Sequence, residues 1–164
     1  MKTLKIETLE DKSVLIKKVL VAVDLSDRSA ATAWYAAQIA RSFGASLTVV
    51  HVYQPVALCE YASETTCTVL DEERDQIQKM LAELARQVSV PGLVCTSAFL
   101  IGNPAEEITK LACDIHADLI VTACHHPTLL GGLLNLEKAP QIMHRAPCPV
   151  LVYHHKERQH PGER

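Results

Sequence analysis

The stretch Lys17-Lys18-Val19-Leu20-Val21-Ala22-Val23-Asp24-Leu25-Ser26-Asp27-Arg28-Ser29 constrains the fold more than any other. Val19 to Val23 is an unbroken apolar run rich in β-branched side chains, which reads as a strand buried on both faces. The run stops at Asp24, and Ser26 is placed to cap a following helix by accepting a hydrogen bond from an orphan amide. Such a strand, carboxylate and capped helix open a doubly wound α/β domain, where ligands sit beyond the carboxyl ends of the central strands. Asp24 is therefore the first candidate site residue.

The chain beyond repeats the alternation. Ala30, Ala33, Ala37 and Ala40 form one helical stripe and Ala36, Ile39 and Phe43 a second, a face of small residues suited to lying close on a sheet. Gly44 can end that helix in a left-handed conformation. Leu47 to Val52 reads as the second buried strand. Residues 54–68 read as an irregular connector. Ile77, Leu81, Leu84 and Val88 mark a helix from about Leu70 to Val88, broken by Pro91-Gly92. Val94 to Ile101 mixes apolar and polar residues, as an outer strand does.

Asn103-Pro104-Ala105-Glu106 is a helix start, with Asn103 as cap, Pro104 at the first helical position and Glu106 able to close a capping box. Ile108, Leu111, Ala112 and Ile115 supply that helix's buried face. Leu119 to Val121, a short helix around Ala139 to Arg145, and Val150 to Tyr153 complete a β-α-β-α-β-α-β-α-β order. Right-handed crossovers then give one doubly wound parallel sheet with helices on both faces, in an α/β domain over 16–154. Residues 1–15 are a polar lead-in and 155–164 a polar tail.

A chain of 164 residues fits one domain, and 48% hydrophobic with 21% charged residues describes a globular protein rather than a disordered one. The net charge of −3 supplies no basic field for nucleic acid, and no run is long and apolar enough to insert in a membrane. Met1 to Lys12 is too polar for a signal peptide, so an intracellular protein is expected. Its cysteines (Cys59, Cys67, Cys95, Cys113, Cys124 and Cys148) show no metal or disulfide spacing and are predicted to be reduced thiols.

Five segments in order resemble the universal stress protein family over Lys18 to Tyr153. They are Val19-Leu20-Val21-Ala22-Val23-Asp24 with Ser26, Leu47-Thr48-Val49-Val50-His51-Val52, Gly102-Asn103-Pro104-Ala105-Glu106-Glu107-Ile108, Ala117-Asp118-Leu119-Ile120-Val121, and Ala146-Pro147-Cys148-Pro149-Val150-Leu151-Val152. The resemblance implies strand order 3-2-1-4-5, a cytoplasmic location and a homodimer. It places Asp24 near a nucleoside and Val52 where backbone groups meet a base.

ATP-binding members of that family carry Gly-x2-Gly-x9-Gly-Ser/Thr after the fourth strand, where glycines bring backbone amides to the phosphates. Counted back from Ala146-Pro147, those positions here are Ala123, His126, Leu136 and Glu137. All four depart. Glu137 sets a negative charge where a phosphate would lie, a repulsion of roughly 1 kcal/mol at ~4 Å even in water. Leu129 replaces a further glycine, and Gly131-Gly132 lies off the register. The triphosphate grip is absent from the sequence, leaving Asp24, Val52, Ala123, His125, His126 and Glu137 as an altered nucleotide cleft.

Other constellations are weaker. His51, Cys124, His125 and His126 could converge as metal ligands or as a thiol sensor, but their spacing matches no metal signature. A phosphoacceptor domain would need an acidic pair, a second Asp and a Lys at strand ends that this chain lacks. Val150, Leu151, Val152 and Tyr153 form a short apolar strand expected at a sheet edge, a surface for dimerisation. The sequence thus predicts a non-catalytic stress-adaptation protein without a resident cofactor, acting through a partner or small molecule. An AMP- or ATP-binding switch with weak ATPase activity is the alternative.

Overall fold

In the computed structural model, which describes residues 15–54, 64–124 and 138–154, the elements alternate along the chain. They are β1 (Lys18–Ala22), α1 (Ser29–Phe43), β2 (Ser46–Tyr53), α2 (Glu64–Val88), β3 (Cys95–Ile101), α3 (Pro104–Asp114), β4 (Leu119–Cys124), α4 (Lys138–Arg145) and β5 (Val150–His154). The five strands form one sheet in the order β3-β2-β1-β4-β5. Every pairing is parallel, with Val21 opposite Val49 on one side and Val121 on the other. Fold class and strand order are as the sequence predicts.

β1 lies at the centre because its residues tolerate no water on either face. Val19, Leu20 and Val21 are each at most 1% exposed. Alternation along the strand sends Val19 and Val21 into a cluster with Val49, Val121 and the alanines of α1, joined by Leu81, Leu84 and Val88 of α2. Leu20 enters the opposite cluster with Val50, Ile120, Ile108, Ala112 and Ile142. The core is thus two layers divided by the sheet, one under α1 and α2, the other under α3 and α4.

α1 packs through Ala33, Ala36, Ala37 and Ala40, all fully buried, with Ser29 and Thr32 extending the same face. Two members of the expected stripes turn out differently: Ala30 is exposed and Phe43, in the last turn, is half exposed. Gly44 closes the helix at φ 65°, its amide donating to the Arg41 carbonyl at 3.1 Å while Ala45 donates to Ala40 at 2.8 Å. The N-cap of α1 is Arg28, with no side-chain capping bond. This corrects the expected Ser26 cap: the Ser26 hydroxyl is committed to Asp24.

The irregular connector expected over 54–68 is also shorter than its composition suggests, since α2 already begins at Glu64. Extending a helix costs little once Leu81, Leu84 and Val88 anchor its far end on the sheet, so Thr and Glu follow the nucleus rather than their own propensity. At α3, Asn103 Oδ1 accepts from the amides of Ala105 (3.0 Å) and Glu106 (3.3 Å), and Pro104 occupies the first turn. The capping box does not close, because the Glu106 carboxylate takes a hydrogen bond from Arg145 Nη1 of α4 at 2.9 Å. Below the sheet, Asp118 Oδ2 accepts from the amides of Lys17 and Lys18 at 2.8 and 3.0 Å, fixing the entrance to β1 against that of β4.

Cys95, Cys113 and Cys148 are free thiols. Burial raises the pKa of Cys95 and of Cys148, and at Cys148 the nearby Asp118 adds to the rise. Brief iodoacetamide treatment at pH 8 should therefore label the exposed Cys113 before these two, read by peptide mass mapping; faster labelling of Cys148 would contradict the packing. Replacing Asn103 by Ala should lower unfolding stability in urea by about 1 kcal/mol, with Asn103→Ser close to the parent.

Candidate functional site

The sheet order reverses direction at β1. The chain runs from β1 outward to β2 and β3, then crosses back to β4 on the other side. Such a reversal leaves a crevice at the carboxyl ends of the central strands β1 and β4. A cleft of about 320 Å³ lies there. Its described walls come from the ends of β1 (Ala22, Val23, Asp24), β2 (His51, Val52, Tyr53, Gln54) and β4 (Thr122, Ala123). Ser29 of α1, Pro104 and Ile108 of α3, and Ala139 and Ile142 of α4 complete them.

Asp24 organises the β1 rim. Its Oδ1 accepts three hydrogen bonds, from the Ser26 amide at 3.0 Å, the Ser26 hydroxyl at 2.7 Å and the Ser29 hydroxyl at 2.8 Å. These bonds draw the turn around the carboxylate and accompany a left-handed Leu25 at φ 60°, an uncommon conformation for a non-glycine residue. Asp24 itself stays exposed while Ser29 is buried. The carboxylate therefore ties the end of β1 to the first residue of α1, across the cleft mouth.

His51 supports the same rim from β2. Its Nδ1 lies 2.9 Å from the Val23 carbonyl oxygen, which can only accept, so Nδ1 carries the proton. In the neutral ring Nε2 is then the acceptor. The imidazole stacks on Phe99 of β3 with ring centroids 6.4 Å apart, and Phe99 also meets Tyr53 at 6.4 Å. Tyr53 donates its hydroxyl to Glu73 of α2 at 3.2 Å, joining the cleft wall to that helix. The other half of the cleft is apolar, formed by Ala22, Val52, Ile108 and Ile142.

Among the residues singled out from sequence, Asp24, Val52 and Ala123 come together in the cleft, and His51 joins them as a wall residue. His125, His126 and Glu137 lie outside the described residues, as does the side chain of Cys124. Among the described residues no three His, Cys, Asp or Glu side chains gather as metal ligands. Sequence reasoning passed over Ser29, Tyr53 and Thr122. Strand alternation could have found Thr122, the polar member of the run Leu119-Ile120-Val121-Thr122-Ala123 on the same face as Ile120.

Comparison with known proteins agrees with this architecture. A family model described as "Universal stress protein family" matches residues 15–154. Universal stress protein A homolog 1 of Coxiella burnetii is 35% identical over 144 residues, covering 86% of this chain and 98% of its own. A universal stress protein of Thermus aquaticus is 33% identical over 139 residues, covering 84% and 98%. Among solved structures, UspA from Lactobacillus plantarum superimposes with a TM-score of 0.66 at 26% identity, over 84% of this chain and 97% of the other. Two others share the fold: a universal stress protein in complex with cAMP (TM-score 0.63, 23% identity, 85% and 98% covered) and the Archaeoglobus fulgidus protein in complex with dAMP (0.55, 20%, 84% and 98%). The chain belongs to the universal stress protein family.

Proposed function

We propose that this protein works as a non-catalytic binding protein in stress adaptation, its cleft taking a nucleoside monophosphate or a molecule of that size. The observation that carries the reading is the cleft itself: about 320 Å³ at the switch point of the sheet, apolar on one side and rimmed by Asp24, Ser29 and His51 on the other. Small-molecule sites begin at about this size and combine apolar walls with a few placed polar groups. Two proteins of the same fold are found with cAMP and with dAMP, both adenine monophosphates, which supports this ligand class.

The absence of a triphosphate grip in the sequence supports the non-catalytic part. With Ala123, His126, Leu136 and Glu137 at the motif positions, the chain lacks both the glycines that expose amides and the hydroxyl that completes the anion cradle. A β- or γ-phosphate then lacks the motif's glycine amides and hydroxyl, and the negative charge of Glu137 at the last motif position disfavours it. A homodimer through β5 is part of the same proposal. β5 is an edge strand, and its residues Val150, Leu151, Val152 and Tyr153 stay part exposed. Tyr153 stacks on Tyr35 of α1 at 4.8 Å, which stiffens that edge.

Calorimetry with AMP, ADP and ATP, with and without Mg²⁺, tests the reading. The expected result is AMP binding that weakens with each added phosphate, and no ATP turnover; micromolar ATP binding would overturn it. Asp24→Ala should abolish AMP binding, or weaken it at least tenfold, because it frees the turn that closes the β1 rim. For the dimer, light scattering should give twice the chain mass, and Val152→Lys should halve it.

A further inference from the structure

We infer that Thr122 is a ligand-contacting, specificity-determining residue of the cleft, its hydroxyl hydrogen-bonding one polar atom of a bound nucleoside. The inference rests on the small-molecule reading of the cleft above. Alternation along β4 sends Leu119 and Val121 to the α1/α2 layer and Ile120 to the α3/α4 layer. Thr122 shares the face of Ile120, beside its β1 register partner Ala22. Its surroundings there are apolar, with Val52, Ile108 and Ile142 lining the same cleft. An aliphatic residue would suit such a position.

Thr122 is only 7% exposed, yet its hydroxyl makes no hydrogen bond among the described residues. Neither is that oxygen sealed in: Arg74 Nε is the single buried and unpartnered side-chain atom among the described residues. The hydroxyl therefore opens into the cleft it lines. The buried or part-buried polar groups around it differ. Ser29 donates to Asp24, His51 Nδ1 to the Val23 carbonyl, and Tyr53 to Glu73. A hydroxyl that faces an otherwise apolar cleft is completed by water, or by a ligand group that takes the water's place.

The chemistry it would recognise follows from the walls. Ala22, Val52, Ile108 and Ile142 offer apolar surface to a flat ring or the less polar face of a sugar. A single hydroxyl among them both donates and accepts, so it can meet a ring nitrogen or a ribose hydroxyl. A site built to hydrogen-bond such a group discriminates strongly against ligands that lack it.

Two substitutions and two measurements test the inference. AMP binding by calorimetry should fall about fivefold to tenfold in Thr122→Val, which keeps the shape and removes the hydroxyl, and stay within about twofold in Thr122→Ser. Equal AMP affinity in Thr122→Val and the unaltered protein would overturn the role of Thr122 while leaving the cleft reading intact. Failure of the unaltered protein to bind AMP would overturn the cleft reading, and this inference with it. Without ligand, Thr122→Val should melt within about 2 °C of the unaltered protein, because water in the cleft and not the protein holds the hydroxyl it removes. A melting point below that range would mean that the protein itself holds the hydroxyl, and would likewise overturn the inference.

Discussion

Burial of β1 on both faces is the constraint on which the rest of this molecule depends. Val19, Leu20 and Val21 leave no room for water, so each face of the strand needs its own helical layer. Parallel neighbours on both sides, β2 and β4, can be reached only by helical crossovers in opposite directions. The reversal falls between β1 and β4. A cleft at their carboxyl ends is thus a geometric consequence of how the central strand is buried, before any side chain in it is considered.

Asp24 converts that opening into a defined site. A carboxylate at the end of a buried strand would be free to swing if it had only water around it. Here one oxygen gathers a backbone amide and two hydroxyls, and the turn carrying Leu25 in a left-handed conformation folds around it. His51 meets the Val23 carbonyl one residue before that turn, and stacking on Phe99 limits the ring's rotation. Rigid β-strand ends therefore position the polar rim, and the alanine face of α1 lets that helix approach the sheet closely enough for Ser29 to take part. Preorganisation of this kind reduces the ordering cost of binding.

The fold was largely legible in the sequence, and the reasons are local. The unbroken β1 run, the alanine face of α1, Gly44 and the Asn103-Pro104 start each act through their immediate neighbours, and each forms where expected. What escaped depended on competition between groups distant in sequence or between alternative partners. Ser26 has the right residue type for a cap, but Asp24 offers its hydroxyl a charged acceptor two residues away. Glu106 stands at the capping-box position, yet Arg145, far along the chain, takes its carboxylate. The start of α2 was missed because the first turns of a long helix can follow an anchor many residues downstream. In the cleft, Asp24 was found at the end of the first strand, and Val52 and Ala123 through the family resemblance; alternation along β4 could have found Thr122, whereas Tyr53 emerges only from the packing of β2 against α2.

The central claim is that the crevice beyond β1, β2 and β4 is where this protein meets a small molecule. Amide chemical-shift mapping during an AMP titration tests it most directly, because it reports location independently of affinity. The account predicts shifts concentrated at Val23, Asp24, His51 to Gln54, Thr122 and Ala123, with the β3 edge and the lower ends of the strands unmoved. Shifts centred away from these residues, or none at millimolar AMP, would contradict it.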